Sequence, residues 1–278
     1  MARVLDAVAT PLGAVVVGRG AVTALVAVVG LLVGSFLNVV VYRVPRGLSV
    51  VEPRSFCPHC DTPVRSVDNV PVVSWVLLGG RCRQCRGRIS VRYPLVELTT
   101  GIVFAAIGWG LGPHWAVPGF CVIAATLIAL VAVERDGLPA PSSVAVIGTA
   151  VAGALLLAAG VVDRRWAHLV GLIVGVVVSA AVVAGGHRTH VRPDDASSPM
   201  AALPVLLPAG AALGWLGPAY AGEGLAATVA VLLVTRGARS VRGSGSTRSD
   251  GGVLGFALTA GVLVATVTAV AWGAGPGV

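Results

Sequence analysis

Residues 56–60 read FCPHC and residues 81–85 read RCRQC. Each contains a C-x2-C, and the distance between the two is that of a four-cysteine zinc ribbon. The reason is geometric. A C-x2-C turn lets two thiolates face one ion, and two such turns complete a tetrahedron. Cys57, Cys60, Cys82 and Cys85 are therefore the expected ligands of a structural zinc ion. Four sulfurs already close such a site, so His59 is expected to be an exposed loop residue. Residues 43–93, which carry the pairs, are too few to hold themselves together by apolar burial alone, and a bound metal supplies the missing staple.

On either side of this insert the chain is built for lipid. Of its 278 residues 56% are hydrophobic and 12% are charged, about half the charge fraction of a soluble domain. Apolar runs of membrane-spanning length are expected at 21–42, 94–112, 117–133, 144–161, 169–186, 201–217, 223–235 and 253–274. The seventh is short and Pro204 and Pro208 break the sixth, so seven spans is the alternative count. The expected fold class is all-α: a polytopic membrane helical bundle of about eight spans with a small cytoplasmic insert. The domains divide as 1–42, 43–93 and 94–278. No cleavable signal peptide is expected, because Asp6 and Arg19 interrupt the first residues and the small-residue triplet at 7–9 comes too early.

The arginines orient the bundle. The chain has no lysine, and all 20 basic residues are arginine. If the insert is cytoplasmic and the spans alternate, sixteen arginines fall inside and four outside: Arg3, Arg19, Arg164 and Arg165. The same arginines place the cysteines in a reducing compartment, where metal binding is favoured over disulfides. The net charge of +8 is thereby accounted for without nucleic acid. The basic Gly/Ser-rich loop 236–252 reads either as a segment drawn to anionic lipid headgroups or as a solvated linker.

Three segments carry a resemblance: GSFLNVVVYRVPRG (34–47), SFCPHC (55–60) and DNVPVVSWVLLGGRCRQCRGRISVRYPLVEL (68–98). Together they resemble the N-terminal region of the type IV prepilin peptidase family. That resemblance implies a polytopic inner-membrane enzyme that cleaves the leader from type IV prepilins and pseudopilins at the cytoplasmic face. It also implies methylation of the new N-terminus with S-adenosylmethionine. The insert belongs to the region associated with methyl transfer, and the client would be the N-terminal helix of a prepilin or pseudopilin.

Proteolysis in the family uses two aspartates, one before a Leu-Pro or Ile-Pro and one in a Gly-x-Gly-Asp. Two carboxylates sharing a proton activate water. This sequence departs from that pattern. ALVAVERDGLPAPSS (129–143) keeps Leu138 and Pro139 and offers Glu134 and Asp136 before them. The second position falls on Leu206 of LPVL (203–206), and the chain contains no Gly-x-Gly-Asp. Asp194 and Asp195, on the same membrane face, are the acids left for a rearranged dyad, and Asp195 is the candidate. His187 and His190 stand near them without a zinc-ligand framework. The expected aspartyl centre is degenerate, and methyl transfer is the chemistry expected to survive. The alternative is a catalytically inactive binding or assembly partner of a pilus or type II secretion system. A transporter would show internal repeats and midplane charges, and neither is seen.

Three further residues are singled out. Glu97 opens the second span, where a carboxylate is expensive. It reads equally as a group positioning an amine for methylation and as an interfacial acid paired with Arg92 or Arg88. Asn38 is expected to hydrogen-bond across helices, and Cys121 to pack in the bundle.

Overall fold

The computed structural model describes residues 2–186 apart from Pro139 and Arg165, together with Ala211; for residues 2–17 and 178–186 it describes the backbone alone. Among the described residues six α-helices follow one another: α1 (Ala2–Arg43), α2 (Val73–Leu77), α3 (Arg92–Leu111), α4 (Val117–Arg135), α5 (Ser142–Val162) and α6 (Trp166–Gly186). Among the described residues there is no β-strand beyond two isolated bridges in the insert. The all-α class is as expected.

Among the described residues four segments are long and apolar enough to cross a membrane: Gly18–Arg46, Arg92–Leu111, Val117–Arg135 and Ser142–Val162. They match the first four expected spans. In α6 the apolar stretch with described side chains is His168–Val177. The expected spans 201–217, 223–235 and 253–274 lie outside the described residues, apart from Ala211. The first helix is longer than its span: α1 begins at Ala2, while its membrane-spanning segment begins at Gly18, close to the expected Ala21. Arg3, Asp6 and Arg19 interrupt the apolar run that marks a membrane span, but arginine is a good helix former and does not interrupt the helix.

Two glycines stop helices by the same device. Gly47 follows the 3-10 turn Val44–Arg46 at φ +67°, and Gly137 follows α4 at φ +77°. Each donates its amide three residues back, to Val44 O and Glu134 O, and the next residue donates five back, Leu48 to Arg43 O and Leu138 to Val133 O. This Schellman arrangement needs a left-handed residue, which glycine adopts without steric cost.

Helix α1 buries one stripe, Gly30, Gly34, Leu37, Asn38 and Val41, and exposes Leu25, Val28, Leu32 and Phe36. The buried stripe lies on α3, and this is the most extensive helix pair among the described residues. A Cβ on Gly30 would stand 2.8 Å from Thr100 O, and one on Gly34 would stand 2.7 Å from Glu97 Cα. Small residues let the two backbones approach closely, which is how helices gain packing in lipid, where tails are as apolar as side chains. Asn38 donates to Tyr93 O of α3 at 3.2 Å, the interhelical bond expected of it. A second layer packs α3, α4 and α5 around Phe104, Ile107, Phe120, Ile123, Leu127 and Leu156. Cys121 is buried there as a packing residue.

Candidate metal centre and flanking carboxylates

The two cysteine turns are built alike. The amide of Cys57 donates to Thr62 O at 3.0 Å, and that of Cys82 to Gly87 O at 2.8 Å. The residue after each second cysteine, Asp61 at φ +53° and Arg86 at φ +58°, is left-handed. Its amide returns to the first cysteine's carbonyl, Asp61 to Cys57 O at 2.8 Å and Arg86 to Cys82 O at 3.1 Å. Antiparallel bridges Phe56–Pro63 and Arg81–Arg88 close the base of each turn.

The turns face each other. All four sulfurs lie within 4.8 Å of one another, and the Sγ atoms of Cys57 and Cys85 are 3.8 Å apart. Sulfurs about 2.3 Å from a tetrahedral zinc ion would stand about 3.8 Å from each other. The set is thus sized for one such ion. His59 is exposed, as expected, and stands outside the cluster. Its ring lies on Gly87, where a Cβ would come within 2.8 Å of it.

The thiols are unequal. The Thr62 hydroxyl, and then its backbone, pull Cys60 down to about 6. Backbone amides of Cys85 and then Gln84 lower Cys82. At Cys85 the Gly87 amide acts downward but is outweighed by desolvation and the three neighbouring sulfurs, and the thiol rises to about 11. A site with some thiolate already present in neutral solution is prepared for a soft cation.

Side chains tie this centre to its surroundings. Arg83, between the second pair of cysteines, grips Asp68 through Nε at 2.9 Å and Nη2 at 2.6 Å. The guanidinium holds the Asp68 carboxyl below its ordinary range. Trp75 of α2 donates to Ile89 O at 3.1 Å and packs on Gly80. Sequence reasoning did not single out Asp68, Arg83 or Trp75, because their partners lie in other turns of the insert.

Glu97 is 8% exposed, and its Oε2 accepts the Val72 amide at 2.7 Å. The expected pairing with Arg92 or Arg88 is replaced. Arg92 Nη1 instead meets Asp136 Oδ2 at 2.5 Å, joining the start of α3 to the end of α4. The reason is direction: Glu97 lies one turn and more inside α3, facing α1 and the insert, whereas Arg92 stands at its rim beside α4. Glu134 is inward, with a buried Oε2 that has no hydrogen-bond partner among the described residues. Asp195, Asp194, His187, His190 and Leu206 lie outside the described residues.

Sequence comparison agrees with the site. Residues 28–111 match the Bacterial Peptidase A24 N-terminal domain. The chain is 40% identical over 143 residues to a prepilin leader peptidase/N-methyltransferase of Neisseria gonorrhoeae, covering 43% of this chain and 50% of that one. To the protein of the same name from Myxococcus xanthus it is 43% identical over 148 residues, covering 53% and 44%. The Stutzerimonas stutzeri protein is 32% identical over 173 residues, covering 52% and 60%. The chain thus spans about half the length of these curated relatives. No solved structure matches. The matched stretch runs from the second half of α1 through both cysteine turns to the end of α3, and over this unit the chain is similar to the prepilin leader peptidase/N-methyltransferases.

Proposed function

We propose that this is a prepilin-peptidase-like protein of the bacterial inner membrane, with the insert in the cytoplasm, that acts on the N-terminal helix of type IV prepilins or pseudopilins. The observation that carries the reading is the matched unit itself: residues 28–111 contain all four clustered cysteines and the helix pair they sit on. Orientation rests on the excess of arginine on the insert's side. The same excess draws the protein toward anionic headgroups.

Cys57, Cys60, Cys82 and Cys85 would hold zinc. Closed by four thiolates, the ion has no open position for substrate, so its role is to hold the insert folded. The division into residues 1–42, 43–93 and 94–278 is kept, with the insert belonging to the methyl-transfer part. Of the family's two chemistries, N-terminal methylation with S-adenosylmethionine is the one retained. The leader-peptidase centre is degenerate. Asp136 faces Arg92 in place of a second carboxylate, Glu134 and Asp195 are the acids left near the family positions, and Leu206 stands where an aspartate is needed. Paired-carboxylate catalysis requires two acids sharing a proton.

The test uses purified chain, a prepilin peptide, its pre-cleaved counterpart and labelled S-adenosylmethionine. Label on the pre-cleaved N-terminus without leader removal is expected. Efficient leader cleavage would overturn the degenerate centre. A second reading, an inactive assembly partner, is favoured by the missing Gly-x-Gly-Asp; peptide binding with no label on either peptide would select it.

A further inference from the structure

A cleft of about 400 Å³ opens between the last three turns of α1 and the insert. The size is that of ordinary ligand sites. One wall is apolar and comes from the outward stripe of α1: Leu32, 57% exposed, then Phe36 and Val39. The other wall, from the insert, sets Arg54, Ser66 and Asn69 among apolar residues such as Val51 and Val64, while Arg43 lies at the end of the cleft where α1 stops.

Arg43 is the unusual member. It is 7% exposed, and its Nη1 and Nη2 donate to the carbonyls of Ser49 at 2.9 Å and Pro53 at 2.7 Å. Both partners are neutral, and it makes no ion pair among the described residues. Neither does Arg54. A buried guanidinium with no counter-charge is costly to keep, and an anion entering the cleft would lower that cost. The negative end of α1 offsets part of it for Arg43, but that dipole does nothing for Arg54.

The apolar wall says what kind of anion. From Leu32 to Arg43 the helix rises about 16 Å. The headgroup zone of one leaflet is about 5 to 8 Å thick. A cleft of this length runs from hydrocarbon depth into the headgroups. It continues the exposed stripe of Leu25 and Val28. A soluble anion would leave that wall unused. Glu97 accepts the amide of Val72, the residue after Pro71 of the insert's wall, and so ties that wall to α3.

We propose that this cleft binds an anionic phospholipid, its phosphate between Arg43 and Arg54 and its upper acyl chain along Leu32, Phe36 and Val39. The site lies beyond the prepilin reading and does not depend on it.

The experiment takes the full chain in neutral detergent and measures bound lipid by native mass spectrometry and melting temperature during titration. The probes are phosphatidylglycerol, phosphatidylcholine and inorganic phosphate. Arg54→Gln removes an exposed charge that has no hydrogen bond or ion pair among the described residues, so the fold is expected to survive it. Arg88→Gln removes an equally exposed charge outside the cleft. Phosphatidylglycerol is expected to bind and stabilise the wild type more strongly than phosphatidylcholine. Arg54→Gln should weaken it about five-fold, the worth of one guanidinium near the headgroups, with Arg88→Gln close to wild type. Equal losses in the two variants would show only diffuse attraction and overturn the site. So would equal binding of the two lipids. Stabilisation reproduced by inorganic phosphate alone would overturn the lipid assignment.

Discussion

Glu97 of α3 reaches out of the bundle and takes the amide of Val72, 2.7 Å away in the insert. Val72 sits at φ +61° and ψ −50°, a conformation that a β-branched residue adopts only when its surroundings hold it there. The carboxylate is therefore an anchor between membrane helix and metal domain. Glu97→Ala is expected to strand a buried amide and cost about 1 to 3 kcal/mol, read as faster proteolysis of the insert in the purified chain. Glu97→Gln, which keeps a carbonyl acceptor, should recover most of that protection. Equal loss in both variants would point to the charge rather than the hydrogen bond.

The four sulfurs make a prediction about metal. The pure chain should carry one zinc ion by elemental analysis, and chelation should expose the insert to protease, since binding and folding are coupled. Cys57→Ser should lower the zinc content and give the same protease pattern. An insert as resistant after chelation as before would mean that the metal does not hold it.

In the metal-free, reduced chain the thiols should titrate apart. Cys60, depressed to about 6 by Thr62, contributes stability that is complete above the ordinary thiol value of 9.0 and lost as pH falls through about 6. Cys85, raised to about 11, contributes in the opposite sense, fully below 9.0 and lost as pH rises through 11, so it does not change between 6 and 9. Alkylation of Cys60 should half-saturate near pH 6, while Cys85 stays slow until far above neutral. A common midpoint near 9 for both would remove the asymmetry.

Gly34 tests the close contact of α1 and α3. A Cβ there would stand 2.7 Å from Glu97 Cα, a backbone atom that cannot swing aside. Gly34→Val should cost about 1 to 3 kcal/mol from overpacking, seen as a lower melting temperature in detergent. Gly153, whose added Cβ would meet nothing within 4 Å, is the control and should tolerate Ala. A melting temperature unchanged in Gly34→Val would mean that the helices are not so close.

Asp136 tests the proposal that the protease centre is degenerate. With its carboxylate on Arg92, Asp136→Asn should loosen the α3–α4 junction by about 1 kcal/mol or less, as partly exposed pairs do. It should leave methyl transfer to a pre-cleaved peptide near wild type. Leader cleavage present in the wild type and abolished by Asp136→Asn would restore this residue to a working dyad.

By itself the sequence determined the helical membrane class, the places of the first four spans and the four cysteines that cluster as a candidate metal centre. These are local properties: a run of apolar residues and a C-x2-C spacing mean the same thing wherever the chain goes next. Asn38 and Cys121 were also readable, since a buried amide seeks a partner and a small thiol packs. The partner of Glu97 was not. Sequence proximity suggested Arg92 or Arg88, but in the folded chain Glu97 takes the Val72 amide of the insert and Arg92 pairs with Asp136 at the end of α4. The grip of Arg83 on Asp68 and the uncompensated charge of Arg43 were hidden for the same reason. Electrostatic partnership depends on distances of a few ångströms across separate segments, and only tertiary packing sets those.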